Sequence, residues 1–461
     1  MSFRTGWPQL LCVAALAACG GDPSEAPSTA AALRAPGPDT PRNVVLISID
    51  TLRADHLGCY GYDRPTSPHL DSLAAEGAVF EDASATSPWT VSSHFSILTG
   101  LFPRSHGVDG WSKPMPTDIR TLAGHLEQLG FATGAFVNHL ILNAERGFGT
   151  GFETYLVEDE KVNPVGKSQT ILANASRWLE ERGDERFFLF VHLYDVHSSY
   201  ISMPRFKRRF TGEYAGEVNG YAQQLKDYRL GKLEWSELDV EHLVDLYDAG
   251  IAQLDDSLGE FFESMRARGQ WDDTLIIVTS DHGEEFLEHG DVLHGGTLFQ
   301  ELLHVPLLLC GPGVPAGRRL AQEVTLVDIV PTVLSFIGAP PPGDVEGIDL
   351  RPALLDSAAE LPDRWIFAEA DKWFNKERGN YRRSIRRGRY KLHYDHLSET
   401  RTLYDLVSDP AELDDIAALH PELVETMWAK LQEYMAGRRE VDASIEVTPE
   451  EIEALEALGY M

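Results

Sequence analysis

Four unbroken apolar runs punctuate the chain, at 43–49 (NVVLISI), 187–193 (FFLFVHL), 274–279 (TLIIVT) and 305–309 (VPLLL). Short runs of this kind, rich in β-branched and bulky residues and lacking polar alternation, predict strands covered on both faces. Between them, apolar positions recur every three to four residues at 67–76, 119–129, 168–181 and 240–266, which predicts amphipathic helices. Strands alternating with helices predict an α/β architecture, a mostly parallel sheet with helices on both faces. No internal repeat is visible. Ligands of such sheets bind beyond the carboxyl ends of the strands. Three carboxylates sit at such exits: Asp50, Asp195 and Asp281.

Beyond about residue 360 the pattern changes. The stretch 382–392 (RRSIRRGRYKL) predicts a strand pair with a basic edge, followed by LYDLVSDPAEL at 403–413 and a helix at 421–436. The basic cluster fits an exposed edge kept soluble by charge, or a contact to an anionic substrate.

Composition narrows the class. With 461 residues, 43% apolar and 24% charged, the chain is globular and has ample material for a large core. Its net charge of −32, from 40 basic against 72 acidic residues, excludes nucleic acid as a partner. An anionic substrate then needs a local cluster of cationic groups.

The first residues read as a leader. Arg4 precedes an apolar run at 10–18 that is too short to span a bilayer, and the run ends Leu16-Ala17-Ala18-Cys19. This ending looks like a bacterial lipobox, with 1–18 as signal peptide and Cys19 as the lipidated residue. An ordinary secretory signal is the alternative. Residues 19–41 are rich in Ala, Pro, Ser and Gly and read as a flexible tether. Gly20 rather than Asp after the cysteine favours the outer membrane. The expectation is an exported protein anchored to a bacterial membrane by lipid, its domain periplasmic or extracellular. Cys59 and Cys310 are then expected as two buried thiols.

Four segments carry candidate chemistry. In 47–61, Asp50 directly follows a strand, where a carboxylate is held rigidly enough to bind metal; alone, such an Asp as readily caps a helix. In 87–108, Thr90 precedes a helix expected at 91–98, whose N–H groups favour an anion or a developing alkoxide; a plain N-cap is the alternative. His94 lies one turn on, and could donate to substrate oxygens or make a structural hydrogen bond. In 279–295, the adjacent pair Asp281-His282 suits a metal of borderline softness, and His294 follows. Glu284 and His289 are open between loop structure and function. In 191–200, Asp195 and His197 follow a strand, while His192 inside it reads as a core histidine and His106 as structural.

The segment 87–108 resembles the nucleophile segment of the sulfatase family, within the alkaline phosphatase superfamily. Counting back from Thr99-Gly100, the family's modifiable Cys or Ser is Thr90 here, and the adjoining Pro and Arg are Ser92 and His94. Formylglycine maturation acts on Cys or Ser, so the chemistry implied is attack by an unmodified Thr hydroxyl. The segment at 47–61 is similar to the family's Asp-Asp-x-Arg start, with Thr51 replacing the second Asp. Where sulfatases carry a Lys near the substrate, 295–301 reads GGTLFQE. The run 281–295 is similar to that of phosphoethanolamine transferases, which also use Thr.

Carried over, the resemblance implies a metal set of Asp50, Thr90, Asp281 and His282. It implies substrate contacts from His94, His197 and His294, with Asp195 orienting His197 or serving a second metal, a role also open to His294. Mixed Asp, Thr and His ligation points to a divalent ion, zinc ahead of calcium, magnesium or manganese. The fold implied is an alkaline-phosphatase-like α/β/α sandwich at 42–360 with a small C-terminal α+β subdomain at 361–461. The function implied is an exported metal-dependent hydrolase of phosphate or sulfate esters. A phosphoethanolamine-type transferase and a non-catalytic binding lipoprotein are the alternatives.

Overall fold

Each of the four apolar runs forms a strand of one sheet in a computed structural model, which describes residues 37, 39–108, 113–158, 167–371, 381–442 and 444. The leader, Cys19 and most of the tether lie outside the described residues. In chain order the strands are β1 (Asn43–Ile49), β2 (Ala78–Ser84), β3 (Ala132–Val137), β4 (Thr154–Val157), β5 (Phe187–Leu193) and β6 (Thr274–Thr279). A hairpin of β7 (Glu285–Phe286) and β8 (Val292–Leu293) follows, then β9 (His304–Cys310), β10 (Arg318–Leu320) and β11 (Val324–Thr325).

The large sheet runs β10-β2-β9-β6-β1-β5-β3-β4, with β11 also paired to β2. Its pairings are parallel except those of β9, which runs antiparallel to both β2 and β6. The reason lies in the connection. The segment 280–303 returns the chain at the end where β6 leaves the sheet, without a crossover to the opposite edge. This inverted strand was not among the expectations from sequence.

Successive side chains alternate between two packed layers. Val44, Leu46, Phe188, Phe190 and Ile277 face one layer, together with Val91 and Phe95 of the helix Thr90–Thr99. Val45, Ile47, Leu189, Val191 and Val278 face the other, against Leu246, Ile251 and Leu258 of the helix Glu237–Ala267. Full burial of such side chains is worth about 1.5–3 kcal/mol each. The helix Glu237–Ala267 begins before its apolar period does, because Ser236 and Asp239 form a reciprocal capping box.

A second, antiparallel sheet comprises β12 (Ile366–Asp371), β13 (Tyr381–Arg387), β14 (Tyr390–Asp395) and β15 (Thr400–Asp405), in that order. The helix Pro421–Ala436 packs Val424, Met427 and Leu431 on Ile385, Leu392 and Leu403. The basic edge expected here is largely internal. Arg383, Arg386 and Lys391 are buried. Arg386 pairs with Asp82 and, at 3.0 Å, with Glu323. Arg383 pairs with Glu369 at 3.1 Å, and Lys391 with Glu412 at 3.0 Å. Cys310 is buried, Cys59 only half-buried, and both are free thiols. Among the described residues no helix is long and apolar enough to cross a membrane.

Glu412, from the LYDLVSDPAEL segment, ties the two sheets together. Its carboxylate accepts from the Gln300 N–H at 2.7 Å and from His393 at 2.8 Å, besides Lys391. Burial would raise its pKa, but Lys391 and His393 override that and hold it down at about 2. The stability this contributes is fully present above the ordinary glutamate value near 4.5 and is lost as pH falls toward 2. The expected result is that Glu412→Gln is less stable than wild type by about 3 kcal/mol at neutral pH, with the gap closing below pH ~4.5. Urea titrations from pH 7 to 3 read this; a gap independent of pH contradicts the assignment.

Candidate active site

β6, β1 and β5 are adjacent, so the residues leaving their carboxyl ends converge. Asp50 follows β1 and donates its N–H to Leu193 O of β5 at 2.9 Å. Asp281 and His282 follow β6. The helix Thr90–Thr99 begins at the same place, where Ser93 Oγ donates to Asp281 O at 2.7 Å. Thr90 is the first helical residue of this wholly buried helix. The extended residue before it is Trp89, and no side chain caps the turn. The N-cap alternative for Thr90 therefore does not describe its position.

Thr90 Oγ lies 3.4 Å from His282 Nε2. His282 Nδ1 donates to Gly283 O at 2.9 Å, which directs Nε2 toward the carboxylates. Nε2 is 3.3 Å from Asp281 Oδ2 and 3.9 Å from Asp50 Oδ1. The ligand atoms of Asp50, Asp281 and His282 lie within 4.8 Å of one another. Asp50 Oδ1 and Asp281 Oδ2 are buried without a hydrogen-bond partner. Orphaned carboxylate oxygens are costly. Burial pushes Asp50 up to about 7, against the pull of His282, and burial beside Asp50 raises Asp281. Two carboxylates, an imidazole and unmet acceptor atoms fit a divalent cation. Thr51 adjoins this group with φ of 58°, an outlying conformation for a β-branched residue.

The other sequence-derived residues fall in different places. His94 commits both ring nitrogens inside the protein: Nδ1 donates to Thr90 O at 2.8 Å, and Nε2 accepts from Ser48 Oγ at 2.9 Å. Burial holds its pKa near 4. His94 is thus neutral and takes the structural hydrogen bond. His294 Nδ1 meets Glu284 Oε1 at 2.7 Å, and its ring lies 4.4 Å from that of His282 and 4.9 Å from that of His197. His197 Nδ1 donates to Ser198 O at 2.7 Å, and its ring stacks on Tyr194 at 4.2 Å. Burial holds both His197 and His294 well below the ordinary value. Asp195 accepts from the Ser168 N–H at 2.8 Å and from Gln253 Nε2 at 3.3 Å. These bonds anchor the helices Lys167–Arg182 and Glu237–Ala267 at the β5 exit.

Two residues of the site were not assigned from sequence. His192 is fully buried in its strand, as a core histidine is, and its Nε2 also lies 3.3 Å from Asp50 Oδ2, which brings it into the site. The available signal was a lone polar ring in an apolar strand, one residue short of its exit. Glu284 is fully buried against His294, and burial pushes its pKa up to about 8. His106 is structural as expected, with Nδ1 accepting from the Val108 N–H at 3.1 Å.

Comparison with known proteins gives consistent matches. The sulfatase family model matches residues 42–339, and the model for the C-terminal part of N-sulphoglucosamine sulphohydrolase matches 288–439. Arylsulfatase K of Bos taurus is 28% identical, covering 86% of this chain and 82% of its own. Arylsulfatase K of Homo sapiens is 25% identical, covering 84% and 81%. Among solved structures, the phosphonate monoester hydrolase of Agrobacterium radiobacter superposes with a TM-score of 0.72 at 22% identity, over 89% of this chain and 98% of that one. BT4656, solved with its substrate D-glucosamine-2-N,6-O-disulfate, gives 0.72 at 20% identity, over 86% and 98%. Both show the same fold.

Proposed function

This chain belongs to the sulfatase family, and on that premise we propose that it hydrolyses anionic sulfate or phosphate esters through the Thr90 hydroxyl. The observation that carries the reading is the position of Thr90 Oγ, 3.4 Å from His282 and at the head of a buried helix. A divalent cation held by Asp50, Asp281 and His282, with Thr90 beside it, would supply a lowered hydroxyl pKa and charge neutralisation for the ester oxygens. Zinc suits the mixed oxygen and nitrogen donors better than calcium or magnesium.

The chain's own groups do the rest. Thr90 gives up its proton to solvent and attacks sulfur or phosphorus in line; as the new bond forms, the bond to the alcohol oxygen breaks and that oxygen takes a proton from solvent. Water then attacks the same sulfur or phosphorus, its bond to Thr90 Oγ breaks, Oγ regains a proton, and inorganic sulfate or phosphate is released. The helix N-terminus favours charge developing at Oγ. His94 is a positioning residue, fixing the Thr90 carbonyl and hence the first helical turn.

The Glu284–His294 pair holds two protons at neutral pH, since Glu284 is shifted up and His294 down. One lies between Oε1 and Nδ1, and the other makes Nε2 a donor for the ester's non-bridging oxygens. His197, beside it, offers a second neutral imidazole.

The relatives' names point to sulfate, whereas an unmodified Thr hydroxyl suits phosphorus. Steady-state assays of zinc-loaded protein with 4-nitrophenyl sulfate, 4-nitrophenyl phosphate and a phenyl phosphonate monoester separate them. Metal-dependent turnover of at least one is expected; none at full metal occupancy contradicts the reading. The leader adds a placement, that Cys19 becomes the lipidated N-terminus of the mature protein. Mass spectrometry of the membrane fraction tests it, and an N-terminus elsewhere contradicts it.

A further inference from the structure

A second cluster of ligand-type side chains follows Asp281 and His282 in the chain and shares no residue with the Thr90 site. Glu285, His289 and Glu301 bring one donor atom each within 4.8 Å of one another. Glu285 is the first residue of β7, His289 sits in the turn of the β7–β8 hairpin, and Glu301 lies in the short helix Gln300–Leu303 that leads into β9. We propose that these three residues form a second divalent-cation site, of the zinc or manganese class, that fastens the hairpin to the segment entering β9.

The feature that points to a ligand is Glu285: its side chain is fully buried, and neither carboxylate oxygen has a hydrogen-bond partner. A buried, unpaired carboxylate is among the most expensive groups a fold can carry. Burial beside Glu301 and Asp291 pushes its pKa up to about 8. His289 closes the cluster from the other side: Nδ1 lies 2.5 Å from Glu301 Oε1 and Nε2 3.3 Å from the Glu412 carbonyl. Against the effect of burial, the hydrogen bond to Glu301 raises the imidazole pKa, so a proton holds this contact in the metal-free protein and a bound cation would replace it. The ring is held for this role by stacking on Phe299, 3.5 Å away with planes 3° apart.

An imidazole with two carboxylates selects a borderline metal over calcium or magnesium, which prefer all-oxygen shells. The histidine side chain retains 12% exposure, giving a cation a route in. The adjoining residue to Glu285 is Glu284, which orients His294, so the cation would also fix the catalytic end of the loop. The site does not depend on the Thr90 mechanism, because it uses none of the same residues.

The test is zinc content per folded chain after loading and dialysis, for wild type, Glu285→Gln and Asp281→Asn. Glu285→Gln is expected to lose one equivalent relative to wild type, and Asp281→Asn to keep the Glu285 equivalent. Wild-type zinc content in a folded Glu285→Gln variant overturns the proposal and means that protons alone neutralise the cluster. Anomalous diffraction from zinc-soaked crystals of the unmutated protein decides the matter if the variant does not fold. A peak among Glu285, His289 and Glu301 is expected; its absence at full soaking overturns the site.

Discussion

Thr90→Ala is expected to lower kcat/KM for the preferred ester by at least about a thousand-fold, with zinc content and circular dichroism unchanged. Alanine removes only the nucleophilic oxygen and one methyl. The metal cluster keeps Asp50, Asp281 and His282, so occupancy should persist. The helix keeps its geometry because its start is fixed by Ser93 on Asp281 O and by His94 on the Thr90 carbonyl, neither of which uses the Thr90 side chain. Thr90→Ser restores the hydroxyl and is expected within about tenfold of wild type. An alanine variant as active as wild type would remove Thr90 from the chemistry and leave direct attack by water.

Asp281→Asn is expected to cost both metal and turnover, again at least about a thousand-fold in kcat/KM. The same change should not lower the melting temperature of the metal-free protein. Asp281 is fully buried, and burial together with the neighbouring Asp50 raises its pKa despite the His282 ring 3.3 Å from Oδ2, so its charge adds little to the metal-free fold. Asparagine keeps the shape and removes one of two adjacent buried carboxylates. Metal analysis, steady-state kinetics and calorimetry of the apo form read the three quantities. A metal-free variant melting well below metal-free wild type would mean that Asp281 serves the fold rather than a cation.

Where local signals agreed, the chain was legible. β1, β5 and β6 fall on the apolar runs residue for residue, because strands buried on both faces leave no polar position to blur their ends. Asp50 and Asp281 could be placed at one end of the sheet because each follows a strand, whereas grouping them with Thr90 and His282 came from the family resemblance. Direction was harder to see. Nothing in VPLLL distinguishes β9 from a parallel strand, since its inversion is set by the connection before it.

The basic stretch 382–392 also misled, for a physical reason. Composition alone cannot distinguish an arginine in water from one paired with a carboxylate three hundred residues away, as Arg386 is with Asp82. His192 was obscured by its apolar neighbours, which do lie in the core while its ring turns to Asp50. Glu284 needed the partner His294 in view before its burial made sense.

In this mechanism Thr90 becomes covalently attached to the group being transferred. Intact-protein mass spectrometry with peptide mapping tests it directly, on zinc-loaded enzyme quenched during turnover of paired aryl sulfate and aryl phosphate esters. A sulfuryl or phosphoryl adduct on Thr90 is expected from the ester that is turned over, absent in Thr90→Ala. Turnover with no adduct on Thr90, or with the adduct on Ser92 or Ser93 instead, would contradict it.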